Sequence, residues 1–220
     1  MVTCGMNKML ALGDSFTYGE ELADRNNCWA QQVADHYDLE LVNYGVPGGS
    51  NQRSMRKLMM HTLKDVKLVC VGWSHFDRFE ASDELGNWCI WPGGQRSKYI
   101  KEASWRNTLT DYVSKHHSDD NLYMHYLTYI VLVQSYLKQR QIPFIMMDAF
   151  GNNEDTRRTD SKFKALLDQV NSDTFVGWPD STMMDWTKDT PHGPGNHFLE
   201  QGHKIVANRV IKQVNKIYEL

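Results

Sequence analysis

A chain of 220 residues fits one domain, long enough to bury roughly 70% of its unfolded surface. Hydrophobic residues at 41% and charged residues at 23% are ordinary globular usage, which excludes a fibrous or low-complexity chain. Its 24 basic residues stand against 27 acidic ones, a formal charge of −3, so the totals carry no electrostatic footprint for nucleic acid.

Met9 to Leu12 is a short apolar run ending at Gly13, which predicts a buried strand starting near Lys8. Asn26 or Asn27 is placed to cap a helix with Trp29, Val33 and Tyr37 on one face. Leu39 to Asn43 reads as a second strand, which Gly45-Val46-Pro47-Gly48-Gly49 breaks into a loop. Ser50 or Asn51 caps the next helix, where Met55, Leu58 and Thr62 share a side. Val66 to Val71 is nearly all apolar, as parallel strands covered on both faces tend to be.

Residues 80–118 show weaker periodicity and carry Trp88, Trp91 and Trp105 around Pro92-Gly93-Gly94. They read as an insertion beside the active face, within a single domain spanning 1–220. Asp119 or Asp120 opens a long helix with Leu122, Tyr126, Ile130, Val133 and Leu137 in step. Pro143 to Met147 is a fourth strand with Asp148 at its end, and a last helix from Phe198 or Leu199 turns Val206, Val210, Val214 and Ile217 inward. This alternation predicts an α/β fold with a central, mostly parallel sheet. Such sheets bind ligands at the carboxyl ends of their strands, where Ser15, Gly48, Ser74 and Asp148 all fall.

The four cysteines, at 4, 28, 70 and 89, lack metal-ligand spacing and are expected to be reduced. There is no apolar leader-like run at the start, and no stretch approaches the roughly 20 apolar residues that cross a bilayer. The expectation is a protein made in the cytoplasm, kept there or released, with no membrane partner.

Ser15 follows an apolar strand and a glycine. On spacing alone two readings stand level: a nucleophile exposed on a strand-to-loop turn, or an Asp14-Ser15 cap for the next turn. Gly13-Asp14-Ser15-Phe16-Thr17-Tyr18-Gly19 resembles the first block of the GDSL-type, or SGNH, hydrolases. These are esterases, lipases, thioesterases and carbohydrate deacetylases on a flavodoxin-like three-layer sandwich. Asn43-Tyr44-Gly45-Val46-Pro47-Gly48-Gly49-Ser50 is similar to their second block, where Gly48 matches the glycine that lends its N–H to the oxyanion hole. His197-Phe198-Leu199-Glu200-Gln201-Gly202-His203, followed by Ala207, resembles the last block.

Two departures stand out. The third block of the family runs Gly-x-Asn-Asp, whereas this chain has Gly72-Trp73-Ser74-His75, so Ser74 takes the place of the oxyanion asparagine. A hydroxyl offers one proton over a shorter reach, and loss of such a donor costs about 3–4 kcal/mol of transition-state stabilisation. The family also sets an aspartate three residues before its histidine, a position held here by Pro194. Asp189 and His192 do fit Asp-x-x-His, but at the wrong distance from His203.

The resemblance implies a serine hydrolase of small carboxylic esters, O-acetyl groups of carbohydrates among them. Ser15 attacks, His197 is the base with His192 as alternative, and Asp189 orients it with Asp185 as alternative. A serine–histidine dyad resting on a backbone carbonyl stays open. Ser15, Gly48 and Ser74 form the oxyanion hole, and Asp14, Asn51, Arg78, Glu80, Trp88 and Trp91 are the candidate substrate contacts. For the loop charges and tryptophans, surface ion pairs and core packing are the plainer roles.

No cofactor or metal is expected, since Asp185, Asp189, His192, His197 and His203 lack a recognised zinc spacing. The rival reading is a non-catalytic carbohydrate-binding or structural protein that retains the hydrolase fold.

Overall fold

Residues 7–83, 86–90, 115, 118–151 and 156–219 are described by a computed structural model. Lys8–Leu12 forms β1, and its pleat sends Met9 and Ala11 to one face and Leu10 and Leu12 to the other. All four are buried, so β1 is covered on both sides. It pairs in parallel with β2 (Glu40–Asn43) and with β3 (Val66–Trp73). β6 (Phe144–Asp148) extends the sheet beyond β3, and the two-residue β7 (Phe175–Val176) closes it, also in parallel. The order is β2-β1-β3-β6-β7. The chain therefore reverses its direction of winding between β1 and β3, and a crevice opens there at the carboxyl ends of the strands.

The sheet divides the core in two. On one face α2 (Trp29–His36) and α7 (Glu200–Ile217) bury Trp29, Val33, Val206, Val210 and Val214 over Met9, Leu68, Cys70 and Ile145. On the other, α3 (Asn51–Met60) and α4 (Asp119–Gln139) bury Leu58, Leu127, Ile130, Val133 and Leu137 over Leu10, Val69, Val71 and Met146. Each such side chain contributes about 1.5–3 kcal/mol when removed from water. The architecture is the three-layer α/β sandwich expected from the strand–helix alternation. Among the described residues no helix is long and apolar enough to cross a membrane.

Several boundaries differ from expectation. Asn26 and Asn27 lie in a separate 3-10 turn capped by Asp24. The first N–H of α2, from Trp29, instead donates to His203 Nδ1 at 3.1 Å, a cap reaching from α7. Ser50 caps α3 through the Arg53 N–H, and Ser118 caps α4, leaving Asp119 and Asp120 in the first turn. β3 runs two residues past the expected Val71, to Trp73. The short helices α1 (Ser15–Tyr18), α5 (Lys164–Leu167) and α6 (Met183–Thr187) fill connections that carry too few residues for a periodic signal.

The excursion after β3 starts as an antiparallel hairpin of β4 (Phe79–Asp83) and β5 (Gly86–Ile90). Arg56 of α3 grips Glu80 through two hydrogen bonds of 2.8 and 2.5 Å. Trp88 belongs to β5, but its side chain, like Trp91 and Trp105, lies outside the described residues.

Candidate active site

Gly13 follows β1 where nothing larger fits: a Cβ there would lie 2.7 Å from the Gly72 carbonyl of β3. Asp14 then caps α1, its Oδ1 accepting from the Phe16 N–H at 3.1 Å. Ser15 follows as the first residue of the helix, 4% exposed, with a backbone N–H that has no intrahelical acceptor. Among the described residues the Ser15 hydroxyl makes no hydrogen bond. Of the two readings level in sequence, the cap falls to Asp14 rather than Ser15.

The loop after β2 lies directly on this turn. A Cβ on Gly49 would meet the Gly13 carbonyl at 2.7 Å and Asp14 Cα at 3.2 Å. Gly48, beside it, takes a left-handed φ of 70° that favours glycine. Its N–H donates to no described residue.

Asp14 and Asn51, candidate substrate contacts in sequence, are 0% and 2% exposed and work as internal supports. Asn51 clamps the backbone of Ser74, donating to its carbonyl at 2.9 Å and accepting its N–H at 2.7 Å. Asp14 Oδ2 accepts from Ser74 Oγ at 2.9 Å and from Arg78 Nη1 at 3.1 Å. Burial pushes the Asp14 carboxyl up, against the downward pull of Arg78, Ser74 and the Phe16 N–H.

The Ser74 hydroxyl, expected in sequence to face an oxyanion, directs its one proton at Asp14 in this structure. Arg78 stays at the site, its guanidinium 4.7 Å above the Phe150 ring. Glu80 does not: its side chain is 7% exposed and tied to Arg56.

The two histidines part company. His197 packs its ring 5.0 Å from that of Phe16, the residue after Ser15, and Phe198 stacks on the same Phe16 at 4.9 Å. His192 lies beyond Phe198, edge-on at 6.5 Å, with Nδ1 2.7 Å from the Thr190 carbonyl. Neither histidine hydrogen-bonds Ser15 among the described residues. In unliganded sites such contacts are often long.

The carboxylate beside His197 is one that no motif in the sequence marks. Gly19 closes α1 in a left-handed cap, and Glu21 follows with a left-handed φ of 68°, unusual for a residue with a side chain. Glu21 Oε2 lies 3.0 Å from His197 Nδ1 and 3.2 Å from the His197 N–H, while Oε1 accepts the Gly195 N–H at 2.7 Å. A Cβ on Gly193 would come within 2.6 Å of the same carboxylate, so Gly193-Pro194-Gly195 is shaped around it. Burial would raise the Glu21 carboxyl, but the Gly195 and His197 hydrogen bonds outweigh that and hold it below its usual range.

Asp189, expected in this position, is exposed and bonds to no described residue. Asp185 is committed to a capping box with Thr182. His203, buried and serving α2, is pushed down to about 3, chiefly by burial. Among the described residues no group of three or more His, Cys, Asp and Glu side chains is arranged to hold a metal ion.

A family model described as a family of unknown function (DUF6071) matches residues 17–218. The chain belongs to the DUF6071 family. No curated protein sequence matches this DUF6071 chain. Solved structures do match in shape. The psychrotrophic esterase EstA from Pseudoalteromonas sp. is 13% identical, with 96% of this chain and 97% of that one covered at a TM-score of 0.53. A member of the lipolytic G-D-S-L family from Veillonella parvula is 12% identical, with 96% and 99% covered at a TM-score of 0.51. A family two carbohydrate esterase from Clostridium thermocellum, solved with cellohexaose, is 13% identical; 96% of this chain covers 64% of that one at a TM-score of 0.53. At such identities the likeness is one of fold: the DUF6071 chain has the hydrolase fold shared by these esterases.

Proposed function

We propose that this chain is a serine hydrolase of small carboxylic esters, with Ser15 as nucleophile and His197 as general base. The observation that carries the reading is the Ser15 hydroxyl, unengaged among the described residues, at the reversal point of the sheet, with His197 held against the adjacent Phe16. His197 Nε2 takes the Ser15 proton as Oγ attacks the ester carbonyl, and the N–H groups of Ser15 and Gly48 receive the developing oxyanion. The imidazolium returns its proton to the leaving alcohol, and water, activated by the same nitrogen, releases the acid and frees Ser15.

Esters carried on sugars are the substrate class we favour. The family two carbohydrate esterase supports it by its shape. The Trp88, Trp91 and Trp105 stretch supports it by composition, since indole faces suit sugar rings. The test is hydrolysis of p-nitrophenyl acetate and of an acetylated oligosaccharide by wild type and Ser15→Ala. Wild-type turnover that falls to background in the variant supports the reading, and turnover retained by Ser15→Ala overturns it.

A further inference from the structure

We infer that Glu21, not an aspartate of the C-terminal segment, is the positioning residue for His197. The inference rests on the hydrolase reading only for its kinetic consequence; its structural part stands alone. Three features converge on one carboxylate: the 3.0 Å contact to His197 Nδ1, the two loop N–H groups it accepts, and its own left-handed backbone. Acceptance at Nδ1 by an anion places the ring proton of neutral His197 on Nδ1 and leaves the Nε2 lone pair open to a proton.

When His197 takes the Ser15 proton on Nε2, the imidazolium keeps Nδ1–H directed at Glu21, and no proton moves to the carboxylate. The nucleophile and the group that orients its base are then only six positions apart in sequence, on the two sides of the Gly19 cap. The other charged or titratable groups around the ring are Glu20, with Oε2 3.7 Å from Nε2, the buried Asp14 and, from α7, His203. None of these three accepts from Nδ1 among the described residues.

Two measurements test the inference on the full chain. Long-range proton–nitrogen NMR of the wild type, with His197→Gln to assign the signal, reads the ring directly. Neutral His197 as the Nδ1–H tautomer is expected, and the Nε2–H tautomer would overturn the inference. In p-nitrophenyl acetate hydrolysis, Glu21→Gln lowers kcat by at least about tenfold with little change in KM, as expected when a base loses its orienting anion. Glu21→Asp, which keeps the charge and tolerates the left-handed backbone, recovers part of it. Unchanged kcat in Glu21→Gln, with a loss in Asp189→Asn instead, would overturn the inference. A wild type with no hydrolysis overturns the hydrolase reading, while the histidine spectrum still decides the role of Glu21.

Discussion

Ser74 Oγ donates to Asp14 Oδ2 across 2.9 Å, tying the end of β3 to the residue before Ser15. Ser74, at the position where GDSL-type hydrolases carry an asparagine, thus supports the Ser15 turn from behind. Ser74→Ala should lower stability by about 1–3 kcal/mol, the cost of removing one partner of a buried polar group. The rate of ester hydrolysis should stay within about threefold of wild type. Urea melts and p-nitrophenyl acetate kinetics check both; a loss of 100-fold or more, on the scale of a missing oxyanion donor, would restore Ser74 to the oxyanion hole.

Arg78 is the only cation that bonds the buried Asp14 carboxylate among the described residues. Arg78→Met should cost about 3–5 kcal/mol near neutral pH, as when one partner of a buried pair is removed. The sign of the pH dependence follows from burial, which already raises the folded-state pKa of Asp14 above its unfolded value. Without Arg78 it rises further, so the folded state takes up a proton more readily. The destabilisation should therefore shrink as pH falls and grow as it rises. Asp14→Asn added to Arg78→Met should recover part of the loss, and denaturant midpoints across pH read both effects.

His203 is held near 3 in the folded chain against about 6.5 when unfolded. The unfolded chain binds the extra proton between those values, so stability falls as pH drops below about 6.5, by on the order of 4 kcal/mol once pH 3 is reached. His203→Gln, with no titrating ring, should flatten this acid limb. It should also lose stability near neutral pH, because the Trp29 N–H loses its acceptor. Thermal melts from pH 7 to 4 test this; parallel curves for the two proteins would contradict it.

Glu21 titrates in the opposite sense. Its folded-state pKa lies below the unfolded value of about 4.5, so its contribution is present above that value and is lost as pH falls through the folded pKa. Glu21→Gln should be less stable than wild type at pH 7, and the difference should close in acid below 4.5. A difference independent of pH would show that packing, not charge, sets its size.

Gly49→Ala forces a Cβ to within 2.7 Å of the Gly13 carbonyl. Backbone on both sides leaves no flexible end to yield, so the loop that carries Gly48 should move off the nucleophile turn. Hydrolysis should fall at least about tenfold while the far-UV spectrum keeps its shape.

Much of the sandwich was legible because β1, β3 and β6 are short, nearly continuous apolar runs and α4 and α7 carry apolar residues at helical spacing, and burial follows both. The two-residue β7 has no period to read. The cap of α2 was missed because its acceptor, His203, is 174 positions away. Ser15, Gly48 and His197 are singled out in sequence by their resemblance to GDSL-type blocks, but nothing in that resemblance points to what surrounds them. Glu21 meets His197 across 176 positions, through backbone N–H groups that any residue carries, and Asp14 meets Ser74 across 60. Asp189 fits Asp-x-x-His with His192 but not with His197, and spacing says nothing of which way a loop turns its carboxylates.

The most direct test of the central claim is covalent labelling by a fluorophosphonate probe, mapped by mass spectrometry. The account predicts a single adduct on Ser15, absent in Ser15→Ala and formed much more slowly in His197→Ala. A folded wild-type protein that gains no adduct at Ser15 while binding an acetylated oligosaccharide would contradict it, and would make the chain a binding protein on a hydrolase fold.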